Sequence, residues 1–146
     1  MPGSKTRGQL EADISEAIIR FEKEFMGRGP METKTYLIDD LVLVRLKGVL
    51  TQAELQLVKA ADPSEGRRIV KQIRIALLEQ GRHLLESAIE EITGCRPVSM
   101  HTDISTITGE RLIIFTLDAP PSVKGGSTGR AEGELDDPSD SRRRGS

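Results

Sequence analysis

Few side chains in this sequence are suited to catalysis or ligation, and the short inventory is itself informative. The chain has two histidines, His83 and His101, and one cysteine, Cys95. His83 falls in a helical stretch beside Arg82 and near Glu86, where an exposed helix position accounts for it. His101 alternates with Met100 and Thr102, so in a strand it shares a face with Ser99 and Asp103. A His–Asp pair on an open sheet face could orient an imidazole or bind a polar partner, although a half-exposed histidine on the wet side of a sheet is the more ordinary arrangement. Cys95 is separated from that pair by most of a strand, and no second cysteine or clustered histidine completes a ligand set. It reads as a loop-edge thiol, and neither a metal nor a cofactor is expected.

Two charged groups remain. Gly27-Arg28-Gly29-Pro30 could turn backbone donors and a guanidinium toward an anion, with Arg28 and Gly29 as the contact positions. It follows a helix rather than preceding one, and a helix C-terminus repels anions, so a tight helix-to-strand connection is the favoured reading. Arg67, Lys71 and Arg74, spaced i, i+4 and i+7 with Arg68 adjacent, form a basic stripe expected opposite the apolar face of a helix. Such a stripe could hold phosphates without reading a base sequence. Glu79, Glu86, Glu90 and Glu91 further along interrupt any continuous track.

The elements that must position these residues follow from periodicity. Leu10, Ile14, Ala17, Ile18, Phe21 and Phe25 recur at helical steps from Gln9 to Met26, and Gly27 with Pro30 ends that helix. Thr33 to Ile38 and Leu41 to Leu50 read as a hairpin around Asp39-Asp40, with Val42, Val44 and Leu46 facing the core and Arg45 and Lys47 facing water. Thr51 and Glu54 have capping-box spacing and open a short helix. Pro63 restarts the chain into a long helix of roughly 27 residues, about 40 Å, whose stripe is Ile69, Val70, Ile73, Leu77, Leu84, Ala88, Ile89 and Ile92. Gly81 is expected to weaken it midway. After Gly94, strands around Val98 to Ile104 and Arg111 to Leu117 make a second hairpin through Thr108-Gly109-Glu110. The expected class is α+β: a two-layer sandwich with a four-stranded, mainly antiparallel sheet and its helices on one face.

Composition bounds the rest. The chain is 146 residues, the size of one domain, with 36% hydrophobic and 30% charged residues and a net charge of -2, so nucleic acid is an unfavoured partner. Aromatic residues are 3%, which leaves few stacking platforms for single strands. No stretch approaches the roughly 18 apolar residues of a bilayer span and Met1 to Gly8 carries no signal-like run, so a cytoplasmic chain without direct membrane insertion is expected. A domain over 8–118 and a low-complexity, disordered tail over 119–146 are expected. Within that tail five of 28 residues are glycine and Val123 and Leu135 are the only large apolar side chains, while Arg142, Arg143 and Arg144 close it with a short basic patch.

Three runs carry a resemblance to a known family. They are Glu24-Phe25-Met26-Gly27-Arg28-Gly29-Pro30; the segment from Asp40 through Val44-Arg45-Leu46-Lys47-Gly48 to Thr51-Gln52-Ala53-Glu54; and His101-Thr102-Asp103-Ile104 with Ile114-Phe115-Thr116-Leu117. In order and spacing they resemble the bacterial MpsC-like domain, over roughly Gly8 to Leu117. The resemblance implies association with a sodium-translocating, membrane-potential-generating system linked to inorganic-carbon uptake, with this domain as a soluble accessory. It brings no catalytic residue set. It marks Arg28, Gly29, Arg45, His101 and Asp103 as candidate ligand or partner contacts. The expectation is a non-enzymatic interaction module, which could be a homodimer through the long helix or an edge strand, that docks a protein partner. The rivals are a nucleic-acid-binding or regulatory role for Arg67, Arg68, Lys71 and Arg74, and an enzyme or small-anion sensor centred on His101, Asp103 and Arg28.

Overall fold

The computed structural model describes residues 5–60 and 62–125. Helix α1 (Arg7–Met26) opens on a capping box, with the Gln9 amide donating to Thr6 Oγ1 at 3.1 Å and the Thr6 amide donating to Gln9 Oε1 at 2.8 Å. It ends at Gly27 in the left-handed region, φ 89°. Strands β1 (Glu32–Ile38) and β2 (Leu41–Lys47) form a hairpin around Asp39-Asp40. Helices α2 (Gln52–Val58) and α3 (Pro63–Thr93) follow, then strands β3 (Pro97–Ile104) and β4 (Arg111–Leu117).

The two hairpins join through β2 and β4, giving one antiparallel sheet in the order β1-β2-β4-β3. All three helices lie on one side of it: α1 packs on β1 and along α3, and α2 packs on α3. Between the layers sits an aliphatic core built from Ile14 and Ile18 of α1, Val42, Val44 and Leu46 of β2, Leu78, Leu85 and Ile89 of α3, and Ile113 and Phe115 of β4. This is the expected α+β sandwich.

Helix α3 departs from the expected stripe. Its 31 residues bury Gly66, Val70, Arg74, Leu78, Gly81, Leu85, Ile89 and Thr93, while Ile73 and Leu84 are exposed. The buried line contains two glycines and an arginine, so it does not coincide with the most hydrophobic stripe of the helix. Gly81 is where α1 crosses: a Cβ there would stand 2.4 Å from Phe21 Cε1 and 3.1 Å from Phe25 Cε2, and those two rings stack 4.6 Å apart. Gly66 does the same for α2, where a Cβ would meet the Leu57 carbonyl oxygen at 1.9 Å. The glycine expected to weaken the helix is where α3 packs closely against α1.

The folded unit also runs past 118. Pro121 is buried, Val123 packs against the core, and the Lys124 amide donates to the Lys5 carbonyl at 2.8 Å, fastening the chain to the start of α1. Residues 126–146, including Arg142 to Arg144, lie outside the described residues.

Gly81→Ala tests the crossing. Helix propensity favours alanine by up to about 1 kcal/mol, whereas an added methyl in a filled contact costs about 1–3 kcal/mol. A net loss of stability is expected from urea denaturation; a gain would mean that α1 gives way freely.

Candidate functional site

Three charged side chains stand in phase with three apolar stripes. Glu22 follows Ile14 and Ile18 on α1, Arg74 lies between Val70 and Leu78 on α3, and Arg111 alternates with Ile113 and Phe115 on β4; all three are fully buried. Each would be a folding error alone, because an unpaired buried charge costs several kcal/mol. They meet between the layers, and Glu54 at the start of α2 joins them.

Arg74 is the hub. Its Nε donates to Glu54 Oε2 at 2.9 Å and its Nη2 to Glu54 Oε1 at 2.6 Å, a two-point grip on the carboxylate. The same Nη2 reaches the Val49 carbonyl at 2.6 Å, and Nη1 donates to Glu22 Oε1 at 3.2 Å. Arg111 Nη1 holds the other oxygen, Glu22 Oε2, at 3.3 Å, and its Nε lies 3.4 Å from Thr102 Oγ1. Glu54 also completes the capping box of α2, since its Oε1 accepts from the Thr51 amide at 2.8 Å. Two guanidiniums and two carboxylates thus tie α1, α2, α3 and β4 together with no net charge.

The electrostatics differ across the cluster. Burial pushes the Glu22 carboxyl above its ordinary 4.5, against the opposing pull of Arg111 and Arg74. At Glu54 burial pushes the same way, but the Arg74 hydrogen bonds and charge and the Thr51 groups outweigh it, leaving the carboxyl below 4.5. Burial likewise lowers the Arg111 pKa despite Glu22. A cleft of about 40 Å³ between α3 and β3 reaches Arg74 and Arg111 past Lys71 and Thr102, room for a water or two. Chemically, the cluster is a clamp: its carboxylate oxygens are held, and arginine does not give up its proton near neutral pH.

The surface candidates fall in two places. Arg45, His101 and Asp103 all lie on the sheet face away from the helices, each exposed. Arg45 Nε donates to Glu110 Oε2 at 2.5 Å. Asp103 receives Lys71 Nζ at 3.4 Å and the Ile104 amide at 2.9 Å, so it is engaged by α3 and its own backbone rather than by His101. Cys95 is half-buried, and burial together with Asp118 raises its thiol pKa, which makes it a poor nucleophile. His83 is exposed on α3, as expected.

Arg28 and Gly29 lie in the loop between α1 and β1, beside the sheet end where the Met31 amide donates to the Lys47 carbonyl, and Arg28 Nη1 donates to the Leu50 carbonyl at 3.2 Å and its Nε to the Gly29 carbonyl at 3.3 Å. Arg28 therefore holds the loop shut, and it also lines an open groove of about 390 Å³ with Lys59 and Arg67. A second groove, of about 500 Å³, runs along Arg67, Arg68 and Lys71 opposite the Ser105 to Ile107 turn. The basic stripe is broken in three dimensions: Arg74 is inside the protein, Arg68 bridges Glu65, and Lys71 bridges Asp103.

The sheet's outer face is more apolar than its alternation suggested. Reading across the four strands, Tyr36, Leu43, Ile114 and His101 form one row, and Ile38, Leu41, Thr116 and Ser99 the next. Lys34, Arg45, Leu112 and Asp103 form a third. Arg45 and Lys47 are exposed as expected, yet the central strands carry Leu41, Leu43, Leu112 and Ile114 on the side no helix covers.

The sequence matches the family described as Na+-translocating membrane potential-generating system (MpsC) over residues 6–119. The chain belongs to the MpsC family. Uncharacterized protein YbcI of Bacillus subtilis (strain 168) is 41% identical to it over 113 residues, 77% of this chain and 89% of that protein. No solved structure matches it. No helix among the described residues is long and apolar enough to cross a membrane.

In this MpsC-family chain, sequence reasoning missed Glu22 and Arg111 and misplaced Arg74. The signal was present: each occupies the i±4 or i±2 position of a core residue on its own element. Glu54 keeps the capping role that its spacing predicts and adds the grip on Arg74, which the sequence does not reveal.

Two measurements check the clamp. Arg74→Met strands two buried carboxylates beside one guanidinium and is expected to cost about 3–5 kcal/mol, read as a lower urea midpoint; a loss below about 1 kcal/mol would mean that water reaches them. The second concerns pH. Because the folded Glu54 carboxyl is depressed, its contribution is present above 4.5 and is lost as pH falls through the folded value. Glu22 has the opposite sign, losing stability as pH rises from 4.5 through its raised folded value. Glu54→Gln should therefore lose less melting temperature than wild type between about pH 5 and about pH 3; parallel curves would contradict the assignment.

Proposed function

We infer that the protein is a non-enzymatic accessory subunit of a Na+-translocating, membrane-potential-generating system, docking a protein component of that system on its open sheet face. One observation carries the reading. Antiparallel strands with one wet face alternate apolar and polar residues, whereas strands covered on both sides read as apolar runs. Strands β2 and β4 are of the second kind, with Leu41-Val42-Leu43-Val44 and Leu112-Ile113-Ile114-Phe115, and helices cover only one side.

The family supplies the class of partner, since the chain matches the MpsC description along its folded length. The chemistry of the face fits a protein contact. An apolar centre of Leu43, Ile114 and Leu112 is rimmed by Lys34, Arg45, His101 and Asp103, the arrangement of an interface core within a polar border. His101 and Asp103 on this reading are rim contacts that set orientation, and the titratable groups held in the clamp take no part in bond making. A nucleic-acid role is not favoured, because the stripe that would hold phosphates is partly buried and partly paired. A cytoplasmic setting accords with a docking subunit of this kind.

A tagged wild-type chain is expected to capture a membrane-embedded Na+-translocation component from native membranes, identified by mass spectrometry. Leu43→Arg with Ile114→Arg is expected to abolish capture with melting temperature unchanged within a few degrees, because both side chains lie on the uncovered side. Undiminished capture by the double variant would defeat the reading. So would loss of self-association alone, measured by light scattering, which would assign the face to a second copy.

A further inference from the structure

At the end of the domain where α1 and α2 stop, the groove of about 390 Å³ combines three features that the sheet-face reading leaves unused. First, Arg28, Lys59 and Arg67 line it, and no carboxylate does. Arg67 is half-buried and, among the described residues, has no ion-pair partner. Second, two apolar side chains stand out from its rim: Ile107 is 88% exposed and Met31 79%, the highest values among the exposed large hydrophobic residues. Third, the supports beneath them are stiff. The Ile107 turn is closed by the Gly109 amide donating to the Ser105 carbonyl at 2.8 Å and the Thr108 amide donating to Ser105 Oγ at 3.1 Å. Met31 lies over Gly48, whose φ of +66° and lack of a Cβ admit it; a Cβ there would sit 2.6 Å from the Met31 side chain.

A β-branched residue at a turn apex gains nothing from the core, and single exposed apolar residues need no explanation. Two at the rim of one groove, with a collar of uncompensated cations, form a patch that does. The fit is to a surface that is anionic at its boundary and apolar just beneath.

We propose that this end of the protein docks on the headgroup layer of an anionic lipid bilayer, with Ile107 and Met31 seated among the headgroups and Lys59, Arg67 and Arg28 facing lipid phosphates. Charge complementarity selects the occupant. A single phosphate drawn deep into the groove would meet the carbonyl end of α1 behind Arg28, which repels it. That repulsion fades within a helical turn, so cations on extended side chains suit an array of headgroups standing off the backbone. The contact is peripheral and needs no spanning helix. It is independent of the sheet-face reading, because bare vesicles contain no protein partner.

The test is co-sedimentation of the full chain with vesicles of phosphatidylglycerol and phosphatidylcholine, and with phosphatidylcholine alone. Binding is expected to the anionic vesicles, weakening as salt rises from about 50 to about 300 mM. Lys59→Gln and Arg67→Gln should each weaken it about fivefold, and Ile107→Asp should remove most of it while leaving the melting temperature unchanged. Arg142→Gln, Arg143→Gln and Arg144→Gln together should preserve binding. The proposal fails if neither vesicle sediments the protein, if lipid charge makes no difference, if Ile107→Asp binds like wild type, or if the Arg142 to Arg144 substitutions alone abolish binding. It fails equally if inorganic phosphate at the same phosphate concentration competes fully, which would assign the cations to a small anion.

Discussion

The two-point contact between Arg74 and Glu54 is the constraint on which the other arrangements depend. Glu54 begins α2 by capping Thr51, and the same carboxylate fixes where α3 must lie. The opposite side of the Arg74 guanidinium reaches Glu22 of α1, and Glu22 reaches Arg111 of β4. A hydrocarbon core tolerates small slides between layers, because dispersion is non-directional. Planar guanidinium and carboxylate groups do not, since a displaced partner leaves a charge buried and unsatisfied. Such a cluster adds less net stability than its charges suggest, and its larger effect is on which packing is permitted.

That constraint explains where the glycines sit. With α3 held at Arg74, the helix must come close to α2 on one side and α1 on the other, and Gly66 and Gly81 are the positions at which a side chain would collide. The long helix is thus built for close approach at two points and for charge at a third. Its hydrophobic residues off this line, Ile73 and Leu84, are left exposed.

With its interior charges committed to holding the layers together, the protein carries its distinctive chemistry outside. One such surface is the sheet side left uncovered by helices, where the middle strands are apolar on both faces. The other is the end of the domain, where rigid turns hold apolar side chains beside cations. They are different in kind: one is broad and flat with a polar rim, the other small and protruding.

The sequence by itself determined the elements and the class. Capping residues, terminating glycines and the two periodicities located every helix and strand in order, because those signals act over one or two turns of chain. It also placed Arg45, His101 and Asp103 on one sheet face, since alternation alone assigns a face. Only the tertiary structure decided the strand order, the meaning of Gly81 and the fate of Arg74. Glu22, Arg74 and Arg111 are separated by 52 and 37 positions, and a charge in an apolar phase reads as a fault until its counter-charge arrives from another element. Whether such a residue faces water or the core depends on that long-range pairing, and local propensity carries no information about it.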